Sequence, residues 1–414
     1  MSEATANHSQ PRAPLGQAEF IALMAMTFAT VAFSIDAMLP ALPDIAGEIS
    51  AETPNRAQMI ITSFVLGLGV GTLFTGPLSD AYGRKPVVMA GAALYVLGAT
   101  LAWQAHSIET MFAARVLQGL GAAGPRVVAM AIIRDLYAGR KMARLMSFIM
   151  LIFTIVPAIA PTIGAGIIWA VGWRGIFPCF MLFSVIATSW MMLRQPETLR
   201  PENRRPFRPR PLLAGIREIV THRVVALSLL TQSLTFGMLF STLSSTQPIF
   251  DQTFGRGESF HLWFGAIALV SGTSGLINAA LVERLGMRFL ITATLGCQIV
   301  FTGIATLLVA VGGLPEIAVF GIYVLWTAGV FFQNGLTIGN LNALAMEPMG
   351  HLAGLTASVT GSVSTVAAVL VAIPLGLAFD GTPVPLMIGT LMLATVSYAA
   401  MLVLRWTDPP DLRR

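Results

Sequence analysis

The chain has 414 residues, 55% of them hydrophobic and only 11% charged, against roughly 25% charged in soluble domains. So few charges cannot coat a soluble protein of this length, which excludes a multidomain soluble enzyme or nucleic-acid binder. The charges are clumped, and the apolar runs between them have membrane-spanning length, so the sequence reads as a polytopic helical membrane protein. The net charge of +5 then reflects topology rather than a nucleic-acid partner. Cys179 and Cys297 both lie in apolar runs and are expected as small core residues, not a disulfide or metal pair. The first residues carry Glu3, Asn7 and His8 and lack the basic start and apolar core of a signal peptide.

Twelve apolar runs are long enough to cross a bilayer, near 19–41, 57–78, 86–105, 109–133, 142–168, 174–194, 224–247, 260–282, 288–311, 316–343, 352–379 and 383–404. An even count puts both termini on one side. With the termini in the cytoplasm, 20 of the 25 Lys and Arg fall on inner segments, and only Arg56, Arg174 and Arg256 fall on outer loops. The expected organisation is a cytoplasmic tail (1–18), a six-helix bundle (19–195), a cytoplasmic linker (196–223), a second six-helix bundle (224–405) and a cytoplasmic tail (406–414). The linker, rich in Pro and Arg (PFRPRPLL), reads as a solvated segment that enforces topology, with binding of anionic headgroups as the alternative.

The first span ends FSIDAMLPALPDIAGEI (33–49), and Asp36 is the one acidic residue well inside any span. An intramembrane carboxyl is a functional candidate by default, here a proton carrier, unless it is locked in an ion pair. After the second span comes GPLSDAYGRKP (76–86). Gly83 permits a tight turn, Arg84 and Lys85 hold it in the cytoplasm, and Asp80 can approach a helix N terminus. The fourth span holds two arginines, Arg115 and Arg126, each costly to insert. Eleven residues is close to three helical turns, so both lie on one face, about 16 Å apart, together with Gln118. That polar face is expected to line a central cavity, with Arg115 and Asp36 in one layer, each about 9 Å below the outer end of its helix. Arg126 has several candidate partners: an anionic ligand group, Asp36, or inner-surface water reached by snorkelling.

The fifth span contains VPAIAPTIGAG (156–166). Pro157 and Pro161 kink it, and Gly164 and Gly166 thin it for close packing against a partner helix across the interface between halves. Candidates for a binding surface in the second half are Gln232, Phe236 and Phe240 (seventh span), Asn278 (eighth span), and Trp326, Gln333 and Asn334 (tenth span). Plain packing or lipid contact is the alternative for the aromatic ones. The segment NAALVERLGMRFL (278–290) echoes 76–86 at an offset of 203, aligning Gly83 with Gly286, and Pro43 echoes Pro248 at an offset of 205. These echoes and the six-plus-six split suggest a duplicated unit with a site between its copies.

The 76–86 segment resembles the loop signature of the major facilitator superfamily. RVLQGLGAA (115–123) resembles its antiporter signature, and 156–166 resembles the fifth-helix signature of proton-driven exporters, with the first Gly missing and the last replaced by Ala165 and Gly166. With DAMLPALP, WRGIF (173–177) and NLNALAM (340–346), the chain most resembles the Bcr/CflA branch of drug/proton antiporters. The resemblance implies an all-α protein of twelve helices in two pseudo-symmetric bundles, working as a monomer in a bacterial inner membrane. It would export amphenicol- or bicyclomycin-like drugs on a proton gradient, with no bound cofactor and with small molecule, protons and lipid as its only partners. It also implies that Asp80 meets the N terminus of the eleventh span, and that Asp135 pairs with Arg84 to lock one state. The alternative within the fold is transport of a metabolite or organic anion. An intramembrane enzyme would need clustered catalytic groups, but the five histidines (His8, His106, His222, His261, His351) sit in tails, loops or span edges.

Overall fold

A computed structural model describes residues 15–206 and 209–407. Most of the two expected tails, with Arg12, Arg413 and Arg414, and Arg208 of the linker lie outside the described residues. The first span is two helices, α1 (Gln17–Asp36) and α2 (Leu42–Ile49), joined by a 3₁₀ turn at Leu39–Ala41. The expected continuous helix over 19–41 is therefore corrected. Pro40 offers no N–H to the Asp36 carbonyl and Pro43 none to that of Leu39, so the α-helix stops at Asp36. The rest of the first half is α3 (Met59–Tyr82), α4 (Arg84–Trp103), α5 (Ile108–Leu136), α6 (Gly139–Val171) and α7 (Ile176–Arg194).

The linker is not simply solvated. It contains α8 (Pro209–Thr221), whose Ile216 and Ile219, one turn apart, pack with Val225, Ala345, Met349 and Val359 beneath the second half. The helix lies close enough for Leu355 to touch the backbone at Gly215. The second half follows as α9 (Arg223–Pro248), α10 (Phe260–Gly272) and α11 (Ser274–Leu285) making one span interrupted at Thr273, α12 (Met287–Val311), α13 (Glu316–Met346), α14 (Ala353–Leu377) and α15 (Val384–Thr407). The halves thus hold six spans each. Gly83 between α3 and α4 and Gly286 between α11 and α12 both have left-handed φ, 104° and 79°, so the echoing loops turn in the same way.

Small residues set the packing inside the first bundle. The backbone of α3 at Gly67 meets the Val116 carbonyl, and that of α5 at Gly119 meets the Phe64 carbonyl. Between the bundles, α3 meets α14 at Gly69 and Thr365, and α6 meets α10 at Ala158 and Gly265. At the outer end the halves are hydrogen-bonded: Asn55 Nδ2 donates to the Phe379 carbonyl at 2.8 Å, and Ser245 Oγ donates to Gln58 Oε1 at 2.8 Å. Trp169, Leu193, Leu276 and Val311 are exposed on the outer surface, the apolar coat that a bilayer requires. Cys297 belongs to that surface and Cys179 is only half-buried, so the expectation of two core cysteines is corrected. The runs flanking them are apolar on both sides, since Phe177, Phe180 and Leu295 face the core while the opposite side meets lipid.

Candidate transport site

Asp36 is the last residue of α1, where the helix breaks. It is 5% exposed. Among the described residues no hydrogen bond or ion pair reaches that carboxyl. The closest cation by sequence reading, Arg115, is spent elsewhere. Its Nη2 donates to the Ser34 carbonyl at 2.9 Å, its Nη1 to Gln118 Oε1 at 2.7 Å, and its Nε to the Ile60 carbonyl at 3.4 Å. The guanidinium also lies over the Phe64 ring, 4.5 Å from its centre. Ser34 Oγ donates to the Thr30 carbonyl at 2.6 Å and so accepts from Tyr95 OH at 2.5 Å. Arg115 and Asp36 do lie within one turn of α1, but the arginine braces the helix rather than neutralising the carboxyl.

Arg115 and Gln118 are fully buried. The expected open cavity face of the fourth span is therefore filled at its outer end by α1. Only Arg126, on the inner half of α5, keeps that accessibility. Its side chain is exposed. Among the described residues nothing forms an ion pair or hydrogen bond with its guanidinium. Pairing with Asp36 is excluded by the same observation.

The second-half candidates divide. Trp326 is a core residue, its indole N–H bonded to Thr302 Oγ1 at 3.1 Å and its ring stacked on Tyr323; its expected place on a binding surface is corrected. Gln232 is buried and donates to Asn342 Oδ1 at 3.0 Å, while Asn278 accepts from Asn340 at 2.7 Å. Gln333 and Asn334 bond within α13, to Thr337 at 3.0 Å and to the Val330 carbonyl at 2.7 Å. Among the described residues the side-chain oxygens of Gln232, Gln333 and Asn334 have no partner. Phe236 and Phe240 are half-buried, their ring centres 5.9 Å apart.

At the inner end, Arg84 joins three elements. Its Nε lies 2.9 Å from Asp135 Oδ2, and its Nη1 lies 2.6 Å from Asp80 and 2.8 Å from Ser79 Oγ. The Asp80 carboxyl is thus taken by its own motif, not by the N terminus of α14. The acid that does cap a helix start is one the sequence reading missed. Glu197 accepts from the Arg84 and Lys85 backbone N–H groups, both at 3.0 Å, where α4 begins and negative charge is favoured. Thr198 Oγ1 adds a bond to Asp135 at 2.8 Å. The available signal was an acid in a mainly basic run, which Glu197 shares with Glu202. A double-mutant cycle of Arg84→Gln and Asp135→Asn should give a coupling of about 1.5–3 kcal/mol in thermal or denaturant unfolding, the range of a charge-assisted hydrogen bond. Additive losses would show that the pair does not hold the loop.

In the fifth-span signature, Pro157 and Pro161 lie within α6 without ending it. The backbone of Gly164 abuts that of Ala37, such that a Cβ there would lie 2.2 Å from the Ala37 carbonyl oxygen. Its close partner is therefore the broken first span of the same bundle, beside Asp36. The contact across the halves is made elsewhere on α6, at Ala158. The expected use of Gly164 at the half-interface is corrected.

Two sets of six apolar spans define a polytopic helical membrane protein. Residues 23–373 match the Major Facilitator Superfamily, and the chain belongs to that family. It is 28% identical over 334 residues to a protein of Haemophilus influenzae described as a bicyclomycin resistance protein homolog, covering 80% of this chain and 82% of that one. It is 29% identical to multidrug resistance protein MdtL of Escherichia coli, covering 79% and 80%. Its fold is that of the xylose transporter XylE from E. coli in a partially occluded inward-open conformation, with a TM-score of 0.70 at 11% identity over 95% of this chain and 98% of that one. It also matches the human organic anion transporter MFSD10, with a TM-score of 0.66 at 16% identity over 94% and 100%. The chain is a multi-pass membrane transporter and not an enzyme.

Proposed function

We propose that the protein is a proton-coupled antiporter that exports small drugs of amphenicol or bicyclomycin type from the cytoplasm, in a bacterial inner membrane with both termini inside. The observation that carries this reading is Asp36. It is a carboxyl inside the first span, at a helix break, 5% exposed and with no cation among the described residues to hold its charge. A group in that position can give up its proton when cargo enters and regain it when cargo leaves, which couples the two fluxes. The names of the bacterial relatives support the drug class, and the fifth-span signature pressed against the break supports exchange over co-transport. Arg115 supports the break by holding the Ser34 carbonyl. Arg84, Asp80 and Asp135 act as the inner latch, with Glu197 anchoring it. The cycle needs no cofactor beyond the proton gradient, and a monomer suffices.

The test is transport by purified protein in liposomes under an imposed pH gradient. Bicyclomycin and chloramphenicol should be driven against their gradient only when protons run the other way, and an uncoupler should abolish the drive. The accessible, unpaired guanidinium of Arg126 favours a second reading, transport of an organic anion. A panel with carboxylate substrates separates the two. Carboxylate transport lost on Arg126→Gln, with no drug transport at all, would replace the first reading.

A further inference from the structure

We infer that Gln58 keeps the outer closure between the two halves shallow: one end of its amide pins the closed state and the other end penalises it. Gln58 ends the 3₁₀ turn Pro54–Gln58 that leads into α3. It belongs to the first half and is 3% exposed, yet its amide reaches two helices of the second. Ser245 Oγ, near the outer end of α9, donates to its Oε1 at 2.8 Å. Gly376, near the outer end of α14, leaves room for it, since a Cβ there would lie 2.8 Å from the same oxygen. Asn55, in the same turn, donates to the Phe379 carbonyl just beyond α14. The turn is thus seated against α9 and α14, and Gln58 is its buried tip.

The amide is one partner short. Its Nε2 is buried and accepts no described residue as a hydrogen-bond partner. Exchanging the amide oxygen and nitrogen does not cure this, because the Ser245 hydroxyl bonds one end and leaves the other. The bond to Ser245 favours the closed end, while the unmade bond disfavours the state that buries it. Parting of the halves would wet both ends of the amide. Gln58 therefore holds the halves in register without making their separation steep. The use of such a closure rests on the export cycle proposed above, in which this end must open once per turnover.

The experiment measures the distance between spin labels on Glu52→Cys and Gln252→Cys, two exposed outer positions in opposite halves, by double electron–electron resonance. The full chain carries Cys179→Ser and Cys297→Ser and is held in liposomes. Ser245→Ala leaves the amide with no partner and should raise the ratio of long to short distances on the order of tenfold. Adding Gln58→Met, which keeps an unbranched side chain and removes both polar ends, should return the ratio to the wild-type value or below. Gly376→Ala should also open the outer end, and Gln58→Ala, which vacates the space, should cancel that effect. An unchanged ratio in Ser245→Ala would overturn the proposal. So would a ratio that stays raised after Gln58→Met, which would make the amide plain glue, or a Gly376→Ala effect that does not depend on Gln58. Neither drug nor pH gradient is applied, so these ratios hold even if the liposome transport assay rejects the drug-export reading.

Discussion

The Asp36→Asn variant is expected to insert and fold as wild type does, yet to show no pH-gradient-driven transport above that of empty liposomes. The fold should survive because the carboxyl makes no hydrogen bond or ion pair among the described residues, so the substitution breaks no contact and leaves no partner behind. Transport should fail because an amide cannot exchange a proton. The informative measurement is a pair of assays. Exchange of labelled for unlabelled drug at equal pH should persist in the variant, since it requires only that the bundles rock around their cargo. Accumulation against a gradient should vanish. If both are lost together, Asp36 contributes to drug binding and not to coupling alone. If accumulation persists, the coupling group lies elsewhere.

The architecture was legible in the sequence because lipid leaves few options. A spanning helix must be apolar over about twenty residues, its basic flanks stay inside, and a backbone without water must satisfy itself. Gly83 and Gly286 were legible as matched turns because each stands alone between two apolar runs, and both take positive φ. The site was legible only as residue types. The sequence places Arg115 near Asp36, but the partners that absorb the guanidinium are the carbonyls of Ser34 and Ile60, and any residue type carries those. The same limit explains Trp326, whose indole looks like a binding platform until Thr302 is seen beneath it. In the linker, alternating Pro and Arg masked the apolar Ile216 and Ile219, whose spacing builds α8.

Gly164→Ala should produce the largest structural effect of any single methyl in the first bundle's signature helix, and Gly166→Ala, two residues on, almost none. At Gly164 the added Cβ would fall 2.2 Å from the Ala37 carbonyl oxygen, and at Gly166 there is nothing within 4 Å. Overpacking typically costs about 1–3 kcal/mol. The upper end is expected here, because the obstruction is main chain and cannot rotate away. Relief requires α6 to back off from the turn that follows Asp36, so the damage should reach function as well as stability. Thermal unfolding in detergent should show a clear drop in melting temperature for Gly164→Ala, a larger one for Gly164→Val, and no change for Gly166→Ala. Drug accumulation in liposomes should follow the same order. Equal behaviour of the two alanine variants would mean that α6 and the helix break are not in contact, and that the signature serves some purpose other than seating one against the other.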